Sequence, residues 1–268
     1  MRCIFCKVRS DDSVSVEHVI PESLGNTEHV LPPGVVCDKC NNYFARKIER
    51  PLLESVYFRQ RTVSLAIPTK RGNAPRIVGV HVQSRLPVEF SPNLDGPGWS
   101  VNTLSEKDES RWIQSLRSSQ QGTLVIPTAD WPDERLMSRF LAKAALEALS
   151  LRVRDVPRGL DEITDKVELD LLRNYARRGE PEGTWAYHSR RLYGPDHEFV
   201  DSDSNSYQVL HEWTFLYTDE QMLFFILAIF GDEYAIDLGG PDIEGYRAWL
   251  AGNHDASPLY PDGLEEGN

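Results

Sequence analysis

The 268-residue chain predicts an α+β protein: a small metal-stapled N-terminal module followed by a mixed α+β domain. Three observations predict it. All four cysteines (Cys3, Cys6, Cys37 and Cys40) fall in the first 40 residues, as two Cys-x-x-Cys pairs. Short apolar runs broken by Pro and Gly lie between them, and one amphipathic stretch follows. Further on, a strongly helical period over residues 134–151 sits among many short strand-like runs. With 40% hydrophobic and 26% charged residues the composition is that of a globular chain, which argues against wholesale disorder. No run approaches the roughly 18 apolar residues of a membrane span. The opening MRCIFCKVRSDD has no signal-peptide core. A cytoplasmic protein without a membrane segment is expected.

The cysteines come first. The two pairs are separated by 30 residues. A Cys-x-x-Cys turn aims two thiolates at one ion, and two such turns complete a tetrahedral site, so structural Zn²⁺ is expected at Cys3, Cys6, Cys37 and Cys40. Iron is the alternative occupant. Disulfides are disfavoured in a cytosolic chain, and bridges within each pair would close no long loop. Zinc matters here because so short a segment buries little core by itself. Such a site can contribute about 10–16 kcal/mol of apparent binding free energy to folding.

Between the pairs, residues 13–16 alternate polar and apolar, predicting a short strand that ends at Glu17-His18. Pro21, Gly25, Pro32, Pro33 and Gly34 mark an irregular loop. Residues 34–36 suit a second strand. Asp38 is a candidate N-cap for a helix running to about Arg50 and halted by Pro51.

This strand–loop–strand–helix order, pinned by cysteine pairs, resembles the HNH endonuclease family, the ββα-metal nucleases, in its zinc-stapled four-cysteine form. The residues carrying the resemblance are Cys3, Cys6, the run Glu17-His18-Val19-Ile20-Pro21, Gly25, Cys37, Cys40 and Asn41. It covers about the first 55 residues, with the module drawn at 1–58, an α+β domain of unknown role at 59–254 and a polar tail at 255–268. The resemblance implies His18 as the general base, and Glu17 with Asn41 holding one catalytic divalent ion. Oxygen ligands of this kind suit Mg²⁺ or Mn²⁺. A neutral imidazole can take a proton from water near pH 7. Many relatives have Asp where this chain has Glu17. The family's middle Asn, which braces the loop, is matched by Asn26, with His29 as the alternative. Asn42 is the alternative to Asn41 if the helix register shifts by one. The resemblance implies DNA as substrate, RNA not being excluded, and a setting in bacterial defence against foreign DNA. Cutting both strands takes two sites, as in a homodimer, or successive nicks. An activating ligand or protein is left open.

The remaining elements follow in order. Residues 52–60 continue helically. Residues 62–68, 76–82, 86–90, 99–101 and 122–127 read as short strands. Residues 134–151 form the best helix, its apolar stripe being core, and 167–178 a second, ended by Gly179. Residues 185–193, 207–217, 222–230 and 234–238 read as strands, and 243–250 closes with a helix. The tail from Asp255 is expected to fray. His81, His188, His197, His211 and His254 are scattered, without a motif. Arg177-Arg178 and Arg190-Arg191 are phosphate contacts or a solvated face. Asp201-Ser202-Asp203-Ser204-Asn205-Ser206 lacks the Gly and terminal Glu of an EF-hand and reads as an exposed turn.

The net charge of −12 argues against a chain coated in Lys and Arg for gripping a polyanion. The charge is unevenly divided. Residues 1–61 hold nine Lys and Arg against eight Asp and Glu, so the acidity lies almost wholly beyond them. Arg46, Lys47, Arg50, Arg59 and Arg61 lie on or after the predicted helix, where they could face phosphates. The readings that compete with an HNH endonuclease are a non-catalytic zinc adaptor for nucleic acid or protein, and a nuclease gated by a C-terminal sensor domain.

Overall fold

The structure is a computed structural model describing residues 1–118, 121–201 and 203–264. Its chain clusters into two compact units: Met1–Leu52 together with Asp133–Asn268, and Leu53–Pro132. The linear division into 1–58 and 59–254 is therefore not how the chain packs, because the N-terminal segment shares its core with helices beyond residue 133.

The N-terminal segment opens with a bridge between Arg2 and Arg9 around the first cysteine turn. Strand β1 (Glu17–His18) pairs antiparallel with β2 (Val30–Leu31), Glu17 opposite Leu31 and His18 opposite Val30. The second strand was predicted at 34–36. Those residues turn instead: Val35 is fully buried, and its carbonyl accepts from the Ile4 amide, 3.0 Å. The chain has already returned at Val30, because Asn26 closes the loop early. Helix α1 (Asp38–Phe44) is capped by Cys37, not Asp38. The Asp38 carboxylate accepts from the amides of Val14, 3.1 Å, and Ser15, 2.9 Å, so it anchors the approach to β1. A π-helical turn, Ala45–Glu49, follows and leads into α2 (Arg50–Leu53). Pro51 was predicted to stop the helix. It is tolerated because the Arg50 amide already bonds back to Ala45 through the widened turn, so the ladder is broken where the ring would otherwise disrupt it.

The second unit holds α3 (Val56–Ser64), β3 (Ile77–His81), β4 (Leu86–Pro92), β5 (Trp99–Thr103), α4 (Glu109–Ser118) and β6 (Leu124–Val125). Its antiparallel sheet runs β5-β4-β3-β6, with Leu86, Val88 and Trp112 as a small core cluster. The strand predicted at 62–68 is helical at its start. Thr62 folds its hydroxyl back onto the Phe58 carbonyl, 3.0 Å, a bond within the helix that the threonine hydroxyl can make. Helix α4 was not anticipated, since Trp112 alone on it is buried.

The first unit resumes with α5 (Glu134–Val153), capped by the Asp133 side chain on the Leu136 amide, 2.8 Å. Met137, Phe140, Leu141, Ala142, Ala144, Ala145, Leu146 and Ala148 are all buried on it, so it is a central helix rather than a surface one. Helices α6 (Gly159–Asp165), which the sequence reading passed over, and α7 (Asp170–Arg178) pack against it. Arg173 of α7, 2% exposed, donates to the Ile4 carbonyl, 2.7 Å, joining the first cysteine turn to the helices. Then come β7 (Tyr187–Arg191), the hairpin β8 (Phe199–Val200) and β9 (Ser206–Tyr207), β10 (His211–Tyr217), β11 (Leu223–Ile229), β12 (Asp232–Asp237) and α8 (Glu244–Gly252). The sheet order is β10-β11-β12-β7, all antiparallel. Alternate side chains of β11, Phe224 and Ile226, join Tyr246 and Leu250 of α8, while α5 packs on β11 and β12. Both faces are thus covered, which is why β11 reads as a continuous apolar run.

Over its described residues, 255–264, the tail is less frayed than expected; 265–268 lie outside the described residues. Ser257, 5% exposed, donates to Glu233, and Tyr260 donates to Glu212. The 201–206 segment is an exposed turn closed by Asp201 on the amides of Asp203 and Asn205, although Ser202 lies outside the described residues. Among the described residues no helix is long and apolar enough to cross a membrane.

Candidate metal centre and nuclease site

The four cysteines converge. Their sulfurs all lie within 4.8 Å of one another, and none is in a disulfide. Cys6 Sγ and Cys37 Sγ are 3.6 Å apart. A tetrahedral Zn–S shell at about 2.3 Å puts sulfurs roughly 3.8 Å apart, so the cluster could hold zinc. The Cys37 amide donates to Cys3 Sγ, 3.3 Å, which favours a thiolate there. The Cys40 thiol adds a second donor and draws Cys3 down to about 4. Cys3 and Cys40 are buried, Cys6 and Cys37 half-buried.

Asn26 sits behind the β1–β2 loop and is 1% exposed. Its Nδ2 donates to the carbonyls of Ile20, 2.7 Å, and His29, 3.2 Å. Its Oδ1 accepts from the amides of Glu28, 3.1 Å, and His29, 3.0 Å. Of the two candidates for a loop brace, Asn26 makes these bonds. The His29 ring turns away and packs edge-on against Trp213, with ring centroids 5.4 Å apart. Gly25 adopts φ +89°, and a Cβ there would stand 2.7 Å from Leu210 Cδ1. The backbone angle is the one that favours glycine, while the close contact falls on the end of the Leu210 side chain.

Asn41, in the first turn of α1, donates through Nδ2 to the Val16 carbonyl, 3.0 Å. That bond ties the helix start to the residue before β1 and leaves Oδ1 as the acceptor end of the amide. Asn42 is exposed. His18 is half-buried on β1.

Glu17 is 5% exposed, and the structure gives it a neighbour the sequence reading missed. Lys143 of α5 is wholly buried, and its Nζ lies 2.6 Å from Glu17 Oε1, 2.6 Å from Glu49 Oε1 and 2.8 Å from Glu147 Oε2. It also donates to the His18 carbonyl, 3.3 Å. Burial alone would lower the Lys143 pKa, but attraction to Glu147, Glu17 and Glu49 outweighs it and keeps the ammonium charged. Burial raises the Glu17 carboxyl, Lys143 opposes it, and the neighbouring Glu49 charge adds to it. A signal was present in the sequence: Lys143 and Glu147, four apart, interrupt the otherwise apolar face of α5. A charged i, i+4 pair inside a buried stripe needs partners from elsewhere.

The basic residues divide. Arg46 and Lys47 are exposed on the π-helical turn. Arg61 is 5% exposed, its guanidinium 3.6 Å from the Tyr57 ring centroid and near the Ala129 and Asp130 carbonyls. It is therefore packed inside the second unit rather than presented to phosphate. Arg190 and Arg191 are paired with Glu233 and Asp232, at 2.7 and 2.8 Å. Of the scattered histidines, His81 is 2% exposed and bonds Ser84, 2.9 Å, a local structural role.

Neither the curated proteins nor the solved structures offer a match to this chain. A family model described as HNH endonuclease matches residues 3–56, the segment holding the four cysteines, Glu17, His18, Asn26 and Asn41, and so this protein carries an N-terminal HNH endonuclease domain.

Proposed function

We propose that this protein is a metal-dependent endonuclease that hydrolyses DNA phosphodiester bonds in its N-terminal domain. The observation that carries the reading is the juxtaposition of Glu17 and His18 on a two-residue strand with Asn41 bonded to the residue just before them, all within the segment matching the HNH endonuclease family. His18 is the general base, accepting a proton from the attacking water. Asn26 keeps the loop behind it closed. The Glu17 carboxylate and the Asn41 amide oxygen form an all-oxygen donor set suited to Mg²⁺ or Mn²⁺. When bound, such an ion neutralises charge on the phosphate and the leaving oxygen. The four cysteines hold a separate, structural zinc. Exposed Arg46 and Lys47 engage the backbone phosphates, giving a small and salt-sensitive footprint.

The test is cleavage of supercoiled plasmid, linear duplex, single strands and RNA with Mg²⁺ or Mn²⁺, comparing the wild type with His18→Ala. Loss of a general base typically costs 10²–10⁴-fold, so a drop of at least about 100-fold in DNA cleavage is expected. Undiminished cleavage by His18→Ala removes His18 from this role. Cleavage of RNA alone would overturn the assignment of substrate.

A further inference from the structure

We propose that Lys143 is the positioning residue of the divalent-ion site, fixing the Glu17 carboxylate and the adjoining His18 backbone from a helix 125 residues downstream. The inference rests on reading Glu17 as a ligand. Four acceptors surround one ammonium that has three N–H donors: Glu17, Glu49, Glu147 and the His18 carbonyl, at 2.6, 2.6, 2.8 and 3.3 Å. They come from β1, the π-helical turn after α1, and α5 itself. The cluster thus clamps to α5 both the strand carrying Glu17 and the π-helical turn that continues α1, the helix carrying Asn41.

Stability alone does not call for a charge here. A buried ion cluster is often no more stable than well-packed apolar side chains of similar volume. A charge does provide direction. Lys143 engages Oε1 of Glu17, so the carboxylate plane is set and its second oxygen is the one to be offered to a cation, as partners behind metal ligands commonly arrange. The domain's site is therefore not self-contained, since it borrows its orientation from α5.

The test uses the full, zinc-loaded chain and measures Mn²⁺ affinity by electron paramagnetic resonance of the free ion, alongside zinc content and the thermal midpoint. The variant is Lys143→Met with Glu147→Gln, which removes the ammonium and one of the carboxylates it leaves unpaired. Loss of a partner behind a metal ligand typically costs 10–100-fold in metal affinity. A drop of that size in a chain that keeps its zinc and its thermal midpoint is expected. Wild-type Mn²⁺ affinity in that chain overturns the proposal. Glu17→Gln separates the two levels of the argument. If Glu17→Gln binds Mn²⁺ as the wild type does, the ligand reading itself fails. If Glu17→Gln loses binding while the Lys143 variant does not, only the positioning role fails. Should the double variant not fold, the wild type supplies the answer through the ¹⁵N-lysine ammonium resonance of Lys143. That resonance shifts on titration with Mg²⁺ if Lys143 and the ion share Glu17, and an unchanged resonance at saturating Mg²⁺ overturns the proposal.

Discussion

Replacing Asn26 by Ala isolates the loop brace from every charged group of the site. The Asn26 side chain is 1% exposed and makes four hydrogen bonds, to the carbonyls of Ile20 and His29 and from the amides of Glu28 and His29. An intramolecular hydrogen bond contributes about 1 kcal/mol net, and leaving a buried partner unpaired costs about 1–3 kcal/mol. Four bonds would suggest about 4 kcal/mol. Three of them are only part-buried, so water can re-pair those groups and the loss falls to about 2–3 kcal/mol. That corresponds to roughly 30–150-fold in a local opening equilibrium. The assay is native-state hydrogen exchange at the amides of Val19 and His29. Val19 bonds the His29 carbonyl at 3.0 Å, so it reports directly on the loop closure. Protection is expected to fall by the stated factor, with zinc content unchanged and DNA cleavage reduced, since the loop behind His18 would open. A fall of less than threefold would refute the assignment of Asn26 as the brace. Asn26→Asp is expected to be at least as damaging, because it exchanges two donors for acceptors facing two carbonyls.

Two further outcomes concern other parts of the molecule. Cys37→Ser, or removal of zinc by a chelator, is expected to abolish zinc binding and the protection of residues 1–52, while amides of β3 and β4 in the second unit stay protected; elemental analysis with hydrogen exchange checks this, and retention of the N-terminal fold without zinc would contradict it. His211 is held neutral by burial, with the His29 charge adding to the effect, and its imidazole falls from 6.5 to about 4. The unfolded chain then takes up the proton first, so this contribution is complete above about pH 6.5 and lost as the pH falls toward 4. At about 1.4 kcal/mol per unit, discounted because the ring is only partly buried, the loss is about 1–2 kcal/mol. Urea midpoints across this window should be steeper in pH for the wild type than for His211→Phe, and equal slopes would rule out His211 as the source.

Much of the site was legible because it is written over short distances. Two Cys-x-x-Cys turns, the Glu17-His18 pair and Asn41 directly after Cys40 are local spacings, and the helix and strand periods that flank them are local as well. The same applies to α5, β10, β11 and α8, each recognisable from its own pattern. Where local pattern competed with tertiary packing, it misled. Val35 and Val36 looked like a strand because they are apolar, yet they are buried in a turn under the first cysteine loop. Thr62 and Val63 looked extended because they are β-branched, yet they end a helix.

The sequence by itself determined the four-cysteine cluster and the resemblance that the family match bears out, and it named the candidates for base and ligands. Only the tertiary structure decided what stands behind them. Whether Asn26 or His29 braces the loop depends on which side chain reaches the backbone across six residues. Whether Arg61 faces solvent depends on the segment that packs over it. Lys143 could be read in sequence only as a polar interruption of an apolar helix. Its partners Glu17 and Glu49 arrive from far along the chain, and a buried charge acquires its meaning from the groups that neutralise it.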